Sequence, residues 1–481
     1  MNKKPNKRFQ GTLHKVSGPL NRDVGASICR KKESMLKQPR DYHHTYELLL
    51  AVGVFILVNI ASFLCQDRIT YNSGRGWDGV VYYNIAEQFS RGQLPDADAP
   101  FVYRIGTPFL ASLIARGDLL AAFWLINVLA NAVTVFLLWV FFRMHLRDWR
   151  IRIALLVLFM TQWHGPIRFV YLYPAYVDPF FFVFLIAGLI LVTKLKSSVS
   201  VGSIVALVAL MFIGVTFREA VLMVALTVPF IVNPITTDLL QWKQMKQNFT
   251  SVRVSFLLPA VAGICGLVVT HLLATQANNY SFLRTAHWWA YGKPLPGYIL
   301  AWFIAFGPVL AVTLYDIRGC WTFLMRQQHL LIFILGFSVL AWVGGSDTDR
   351  ILYWSMPVVY VLTGKAIERQ HALLRSVPIL ATLTILQAIS QRMFWATPDF
   401  PNPFSHKVPF LTHIGRECPM LDLYSYHAHQ LVQSVSLLQY ALCTIVILLC
   451  LYNRSIKRNN CANHALDHTG DPLRGSPSGQ G

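Results

Sequence analysis

The sequence predicts an all-α membrane protein with about 10–12 transmembrane helices. The chain has 481 residues, of which 54% are hydrophobic and only 14% are charged, and its mean hydropathy is +0.44. A soluble domain of this length needs more charge to cover its surface. Apolar blocks long enough to cross a bilayer recur along the chain, and they do not alternate as the strands of a β-barrel do.

Twelve apolar blocks account for the predicted crossings. Several are short for a hydrocarbon core of about 30 Å, so tilted, kinked or re-entrant segments are expected among them. The apolar piece at 107–115 is shorter still, and it is predicted to be re-entrant or interfacial. The twelve blocks lie at about 46–66, 119–142, 151–164, 175–193, 201–217, 220–232, 254–274, 297–315, 329–343, 351–363, 376–391 and 435–452.

The distribution of basic residues predicts the orientation. A net charge of +19 in a soluble protein would point to nucleic acid, but here most basic residues lie between apolar blocks, so topology explains them and no nucleic-acid partner is expected. With the N-terminus in the cytoplasm, 29 of the 42 Lys and Arg residues fall in cytoplasmic segments. Both termini are therefore predicted to be cytoplasmic, and the bilayer is the expected partner.

The segments outside the apolar blocks define the domain organisation. The basic N-terminal segment has no secretory signal pattern and is predicted to be a disordered tail, with Met35 as an alternative start of translation. The eight cysteines include no CxxC pair, so neither a disulfide framework nor a zinc site is expected. The predicted parts are a tail at 1–44, a transmembrane domain at 45–453 with external loops at 67–118 and 392–434, and a second disordered cytoplasmic tail at 454–481.

Four polar clusters fall on the predicted external side. Charged groups near helix ends inside a bundle are costly unless they are paired, hydrated or used, so their convergence predicts a polar cavity open to the outside. The clusters are "WDGVVYYNIAEQF" with "APFVYRIGTP" (Asp78, Arg104), "GPIRFVYLYPAYVDP" (Arg168, Asp178), "FREA" (Arg218, Glu219) and "GGSDTDRI" (Asp347, Asp349, Arg350).

The stretch after Asp78 predicts an amphipathic helix on the membrane surface. Asp78, Tyr82, Ile85 and Phe89 recur at spacings of four, three and four, so they share one helical face. "RGQLP" then ends the helix with Gly and Pro. A carboxylate at the head of this helix can act as a general base on a hydroxyl, an amine or water.

Each cluster also has a purely structural interpretation. Asp78 can cap the helix that follows it. Arg168, Arg218 and Arg350 can extend to lipid headgroups. The "FRE" sequence can form a local ion pair that closes a helical hairpin, and the two aspartates of "SDTD" can be turn formers. The combination of four clusters on one side favours the functional interpretation.

The order of these features resembles the GT-C membrane glycosyltransferases. The likeness consists of a first transmembrane helix, a long external loop with a "D-x-x-x-Y-Y-x-x-A" surface helix ending in Gly, and many further helices. Within that family, the chain resembles the protein mannosyltransferases and the lipid A aminoarabinose transferases. The resemblance covers about 46–365 and is most specific in the first loop, although the chain has one Asp at the head of this helix rather than an acidic pair.

The resemblance implies a function and a set of site residues. In that family the first-loop aspartate assists catalysis and the donor is a sugar on a polyprenyl phosphate, so Asp78 matches the catalytic position, and Tyr82 and Tyr83 match aromatic positions of the helix. The implied reaction is glycosyl transfer at the external face of the inner membrane. An Arg would stabilise the departing phosphate, and Arg104 and Arg350 rank first among the four candidates. A divalent cation held by Asp347 and Asp349 is an open alternative.

Other classes of function stay open at this point. A transporter or flippase would line a substrate path with intramembrane charges, and it predicts inverted repeats and polar residues reached from both sides. Neither feature is found in the sequence. A non-catalytic membrane scaffold, or a polysaccharide polymerase of another fold, is the third class. Substitution of Asp78 separates an enzyme from a helical scaffold most directly.

Overall fold

The structure is a computed structural model that describes residues 22–66, 68–162, 165–231, 256–345, 347–370, 376–391, 434, 437–438 and 440–453. The predicted loop 392–434 and the tail 454–481 lie almost wholly outside these residues. The chain divides into two compact units, residues 1–50 and residues 51–481. All of the candidate site residues belong to the second unit.

The first half of the chain is helical with short connections. The first helix begins at Arg22, so it includes the second half of the basic segment 1–44. The helices are α1 (Arg22–Cys65), α2 (Gly79–Ser90), α3 (Gly106–Ile114), α4 (Leu119–His145), α5 (Trp149–Thr161), α6 (Pro166–Leu172), α7 (Asp178–Ser197), α8 (Val201–Phe217) and α9 (Leu222–Thr227), with short 3-10 segments at Phe101–Tyr103, Glu219–Val221 and Val228–Ile231.

The second half continues in the same way. A two-residue strand before α3, β1 (Asp96–Ala97), pairs in parallel with β2 (Thr275–Gln276). The further helices are α10 (Leu258–Leu273), α11 (Phe282–Gly292), α12 (Leu295–Phe306), α13 (Leu310–Tyr315), α14 (Ile317–Arg326), α15 (Gln328–Val343), α16 (Thr348–Tyr353), α17 (Met356–Arg369), α18 (Val377–Gln391) and α19 (Tyr440–Asn453), with a 3-10 segment at Gly307–Val309.

The prediction of a multi-pass membrane protein is supported by the lengths and hydropathies of these helices. Five are long and apolar enough to cross a bilayer, and a sixth crossing results if the bent pair α14–α15 is counted as one span. The five are His44–Cys65, Leu119–His145, Trp149–Leu172, Asp178–Ser197 and Leu295–Tyr315. Five shorter apolar helices of 10–17 residues add to them, so the predicted 10–12 crossings exceed the five or six full-length candidates among the described residues.

Local side chains explain where several helices begin. Asp118 accepts a hydrogen bond from the Ala121 amide (3.0 Å) and starts α4, and Asp148 accepts one from the Arg150 amide (2.9 Å) and starts α5. Ser200 caps α8 in the same way through the Ser203 amide (3.1 Å). These side chains satisfy amides of the first turn, which have no partner within the helix.

The loop before α2 is held against the segment that leads into α7. Gly76 has a φ of +76°, and a Cβ at that position would lie 2.9 Å from the Tyr173 ring. A Cβ on Gly79 would lie 2.8 Å from the Ala175 carbonyl oxygen. Because only glycine fits both positions, the two glycines that flank Asp78 let its backbone approach the start of α7 closely.

The segment before α7 is fixed from the other side by α4. Asn127 is fully buried, and its Nδ2 donates to the carbonyl oxygens of Pro174 (3.0 Å) and Tyr176 (2.7 Å). These carbonyl groups belong to an irregular segment and have no partners within a helix. The buried side-chain amide satisfies both of them and so holds the segment in place. The first turn of α7 therefore has a fixed position beside α2.

Candidate functional site

Asp78 does not cap the helix that follows it. Its backbone is already in the right-handed helical region (φ −63°, ψ −24°), and its side chain accepts no hydrogen bond from the first turn of α2. The structural interpretation of Asp78 as a capping residue is therefore wrong. Its Oδ2 lies instead 4.0 Å from Nη1 of Arg350, and 35% of its side-chain surface is exposed.

Arg350 is held in place by two other aspartates. Its Nε and Nη2 donate to Asp178 Oδ2 (3.0 Å) and Oδ1 (3.2 Å), and its Nη1 donates to Asp347 Oδ2 (3.1 Å). The guanidinium also lies 5.0 Å from the centre of the Tyr176 ring. Because the guanidinium is planar and three of its nitrogens donate to carboxylates, its orientation is fixed. Its Nη1 edge is directed at Asp78 and Asp347.

Asp178 is the buried centre of this network. Only 1% of its side chain is exposed, and it pairs with both Arg350 and Arg218 while its Oδ2 accepts from the Tyr176 hydroxyl (2.6 Å). Arg218 is itself buried, and its guanidinium lies 4.3 Å from the Trp354 ring. The interpretation that Arg218 and Arg350 extend to lipid headgroups is therefore wrong, because both point inward to a buried carboxylate.

A second ion pair lies beside the first. Arg104 Nε and Nη2 donate to Glu219 Oε2 (3.0 Å) and Oε1 (2.6 Å), and its Nη1 donates to the Tyr82 hydroxyl (2.9 Å). Tyr82 is one turn along α2 from Asp78, and it is buried, as is Ile85. Glu219 therefore pairs with Arg104 of the first loop, and the predicted local "FRE" pair with Arg218 does not form.

Asp347 and Asp349 differ in their environments. Asp347 is 46% exposed, whereas Asp349 is buried and its Oδ1 accepts from the Arg350 amide (3.1 Å). Within the ranges that the structure describes, no three His, Cys, Asp or Glu side chains are grouped so that they could hold a metal ion. Asp347 is thus placed as a partner of Arg350.

Two predicted site residues lie elsewhere or at the margin. Tyr83 is half-buried, and the Arg75 guanidinium lies 3.9 Å from the centre of its ring. Arg168 is buried in α6, and its Nε donates to Gln66 Oε1 (2.8 Å), so it too does not extend to headgroups. The remaining predicted residues form the two networks around Arg350 and Arg104.

Lys293 is a charged residue of the site region that the sequence did not single out. It is buried after α11, and its Nζ donates to the carbonyl oxygens of Ala341 (2.6 Å) and Gly345 (2.7 Å). Burial lowers the pKa of Lys293 to about 8, while the charges of Asp349 and Asp347 oppose this fall. These two hydrogen bonds from Lys293 therefore stabilise the turn that leads to Asp347 and Arg350.

Tyr176 and Trp354 were also missed, and both lie against the arginines. The aromatic-rich "YLYPAYVDP" segment was a usable signal for Tyr176, because it stands two residues before Asp178. Nothing in the sequence marked Trp354 apart from its position four residues after Arg350.

The surroundings of Asp78 shift the pKa of its carboxyl group. Burial raises the pKa of Asp78 above the ordinary aspartate value, and the nearby Asp347 adds to this rise, whereas Arg350, Arg104 and Arg218 oppose it. Desolvation disfavours the charged carboxylate, so a partly exposed Asp78 holds a proton more readily than an aspartate in water. A carboxyl group with a raised pKa is suited to general acid–base chemistry.

No protein-family model matches the chain, and no curated protein matches it.

Proposed function

We propose that the protein transfers a glycosyl group from a polyprenyl-phosphate sugar to an acceptor, with Asp78 as the general base. The observation that carries the proposal is the contact between a partly exposed Asp78 carboxylate and the oriented guanidinium of Arg350 (4.0 Å). The reaction requires a general base and a group that binds the leaving anion, and Asp78 and Arg350 can supply these side by side.

The proposed step is a single inverting displacement. Asp78 accepts the proton of an acceptor hydroxyl as the acceptor oxygen forms a bond to the anomeric carbon. The bond from that carbon to the phosphate oxygen breaks, and its electron pair leaves with the polyprenyl phosphate. One carboxylate suffices for this chemistry, because the acceptor itself is the nucleophile.

Arg350 is better suited than Arg104 to meet the leaving phosphate. Arg104 has Nε, Nη1 and Nη2 all engaged by Glu219 and Tyr82. Arg350 has its Nε and Nη2 on the buried Asp178, while the Nη1 edge faces the two more exposed aspartates, Asp78 and Asp347. A phosphate oxygen can replace Asp347 at Nη1 without disturbing the buried pair.

The remaining parts of the proposal follow from the resemblance to GT-C enzymes. They are a bundle of 10–12 helices completed by the shorter apolar helices, an orientation with cytoplasmic termini, and a reaction at the outer face of the inner membrane. The clustering of Asp78, Asp178, Arg218 and Arg350 supports the proposal that they belong to one site, because residues from four separate segments of the chain meet there.

The test is a transfer assay with the purified protein in lipid nanodiscs. A radiolabelled polyprenyl-phosphate hexose is the donor, and release of polyprenyl phosphate is the readout. Asp78→Asn is expected to lower turnover by about 10²–10⁴-fold, as for loss of a general base. Asp98→Asn is the matched control, since Asp98 is an exposed aspartate of the same loop. Equal turnover of the wild type and a correctly folded Asp78→Asn protein would contradict the proposal.

A further inference from the structure

The end of the molecule remote from the site carries a short amphipathic helix, α14. Its apolar side is formed by Ile317, Cys320, Trp321 and Leu324, which recur at helical spacing. Cys320 and Leu324 are buried against the bundle, whereas Ile317 (58% exposed) and Trp321 (56% exposed) stay exposed along the edge of this side. A helix of ten residues with an exposed aromatic and an exposed aliphatic side chain one turn apart is typical of an interfacial segment.

The direction of α14 fits a position along the membrane surface. It meets α15 at an angle of 112°, which is 22° from a right angle. If α15 lies close to the membrane normal, α14 therefore runs nearly parallel to the bilayer plane. Arg318 and Arg326 are exposed on α14, and two arginines within ten residues do not suit the hydrocarbon core.

The surroundings of α14 are basic at their exposed surface. The His145 ring, at the end of α4, lies 5.9 Å from the Phe323 ring, so α14 lies at the opposite end of this helix of 27 residues from the Asp78 region. That length corresponds to about 40 Å. The exposed cations near the ends of α4, α5, α7 and α14 are Arg143, Arg147, Arg150, Lys194, Lys196, Arg318 and Arg326.

The acidic groups that the structure describes in this region are engaged within the protein, and Asp148 accepts from the Arg150 amide at the start of α5. Asp316 pairs with Arg369, and Glu368 pairs with Lys365 (2.9 Å) while its Oε1 accepts from the Arg147 and Asp148 amides. Asp316 and Glu368 are only 13% and 15% exposed. The surface that α14 offers is therefore cationic around an apolar ridge.

We propose that α14 is an interfacial helix that binds the headgroups of anionic phospholipids, with Ile317 and Trp321 inserted at the level of the upper acyl chains. Arg318 and Arg326, which are exposed on the polar side of α14, pair with headgroup phosphates. A bilayer with an anionic leaflet is the partner because it combines negative charge with an apolar layer beneath it, and neither alone matches the surface.

The first test measures lipid preference with the full-length protein in nanodiscs. Binding of phosphatidylglycerol is measured by titration into phosphatidylcholine nanodiscs with native mass spectrometry. Each arginine near an anionic surface contributes about five-fold, so Arg318→Gln/Arg326→Gln is expected to lower the preference for phosphatidylglycerol by up to about thirty-fold. The control is Arg116→Gln/Arg284→Gln, which removes two exposed arginines near the other end of the molecule.

The second test measures the depth of Trp321 and needs no change of charge. The fluorescence of Trp321 is obtained as the difference between the wild type and Trp321→Phe, in lipids brominated near the glycerol or near the end of the acyl chain. Stronger quenching by the shallow bromines is expected. An unchanged lipid preference in Arg318→Gln/Arg326→Gln, or stronger quenching by the deep bromines, would overturn the proposal.

Discussion

Arg350 and Asp178 form a two-point ion pair between residues that lie 172 positions apart in the chain. The two bonds, of 3.0 and 3.2 Å, join the first turn of α7 to the short helix α16. Asp178 also pairs with Arg218, so a single buried carboxylate balances two guanidinium groups. The orientation of Arg350 toward Asp78 depends on this pair.

We expect Asp178→Asn to destabilise the protein strongly. The substitution leaves two buried cations without their carboxylate, and breaking a buried pair in this way costs about 3–5 kcal/mol. Thermal unfolding in detergent measures the effect as a lowered midpoint. The control is Glu87→Gln, which removes an exposed i,i+4 pair with Arg91 and should cost no more than about 1 kcal/mol. Equal midpoints for the two variants would show that Asp178 is not a structural centre.

The pH dependence of transfer should reveal the state of Asp78. Burial raises the pKa of Asp78, so on acidification the protonated and inactive form accumulates at a higher pH than the ordinary aspartate value of about 3.9. The full initial rate is therefore expected only at pH values above the raised pKa of Asp78. As the pH falls through that pKa, the rate should decline while the pH is still above the ordinary aspartate value. An acidic limb at the ordinary value would contradict the environment assigned to Asp78.

The charge of Arg350 should move this acidic limb. Because the Arg350 cation favours ionised Asp78, Arg350→Gln is expected to shift the limb of the residual activity to a still higher pH. Binding of polyprenyl phosphate to the same variant should also weaken, if Arg350 meets the leaving phosphate. Asp98→Asn serves as the reference for both measurements, and an unmoved limb in Arg350→Gln would show that the two groups are not coupled.

Arg104 and Glu219 should behave as one energetic unit. Their two-point contact joins the first loop to the turn between α8 and α9, so Arg104→Gln and Glu219→Gln should not be additive. A double-mutant cycle of unfolding free energies is expected to give a coupling of about 0.5–3 kcal/mol. The same cycle between Arg104→Gln and Asp316→Asn, at the remote end, should be additive. Additivity in the first cycle would show that the pair contributes nothing to stability.

Asn278 should be required for the order of the loop that carries Arg104. Its amide pairs with the backbone of Ala99 at two points of 3.1 Å each, in line with the β1–β2 strands. Loss of both bonds in Asn278→Ala is expected to cost about 1–3 kcal/mol and to speed hydrogen exchange in residues 92–105. Asn279→Ala is the control, since its side chain is exposed. Equal exchange in the two variants would argue against this anchor.

The sequence was sufficient to identify most of the charged residues that meet, although not Lys293, because a charged segment in an apolar chain stands out from composition alone. The helix after Asp78 illustrates this: the predicted face of Tyr82 and Ile85 is the face that is buried. Spacing along one helix depends only on local geometry, so it can be read without the rest of the fold.

The pairing of charges could not be predicted from the sequence. "FREA" suggested that Arg218 and Glu219 pair with each other, whereas each pairs with a residue from a distant segment. Capping was an equally local expectation for Asp78, and it failed because the side chain lies beside Arg350 rather than over the first turn of α2. Adjacent side chains at a helix end point in different directions, and which partner each one finds depends on how the helices pack.

The sequence by itself determined that this is a helical membrane protein with charged residues gathered in a few segments, since hydropathy and composition are sums over the chain and require no contacts. Only the tertiary structure decided that Asp178 is the buried centre, that Arg350 is turned toward Asp78, and that Lys293 fastens the turn before Asp347. The physical reason is desolvation. A buried charge is tolerated only next to its counterion, and the fold alone specifies which counterion is within reach.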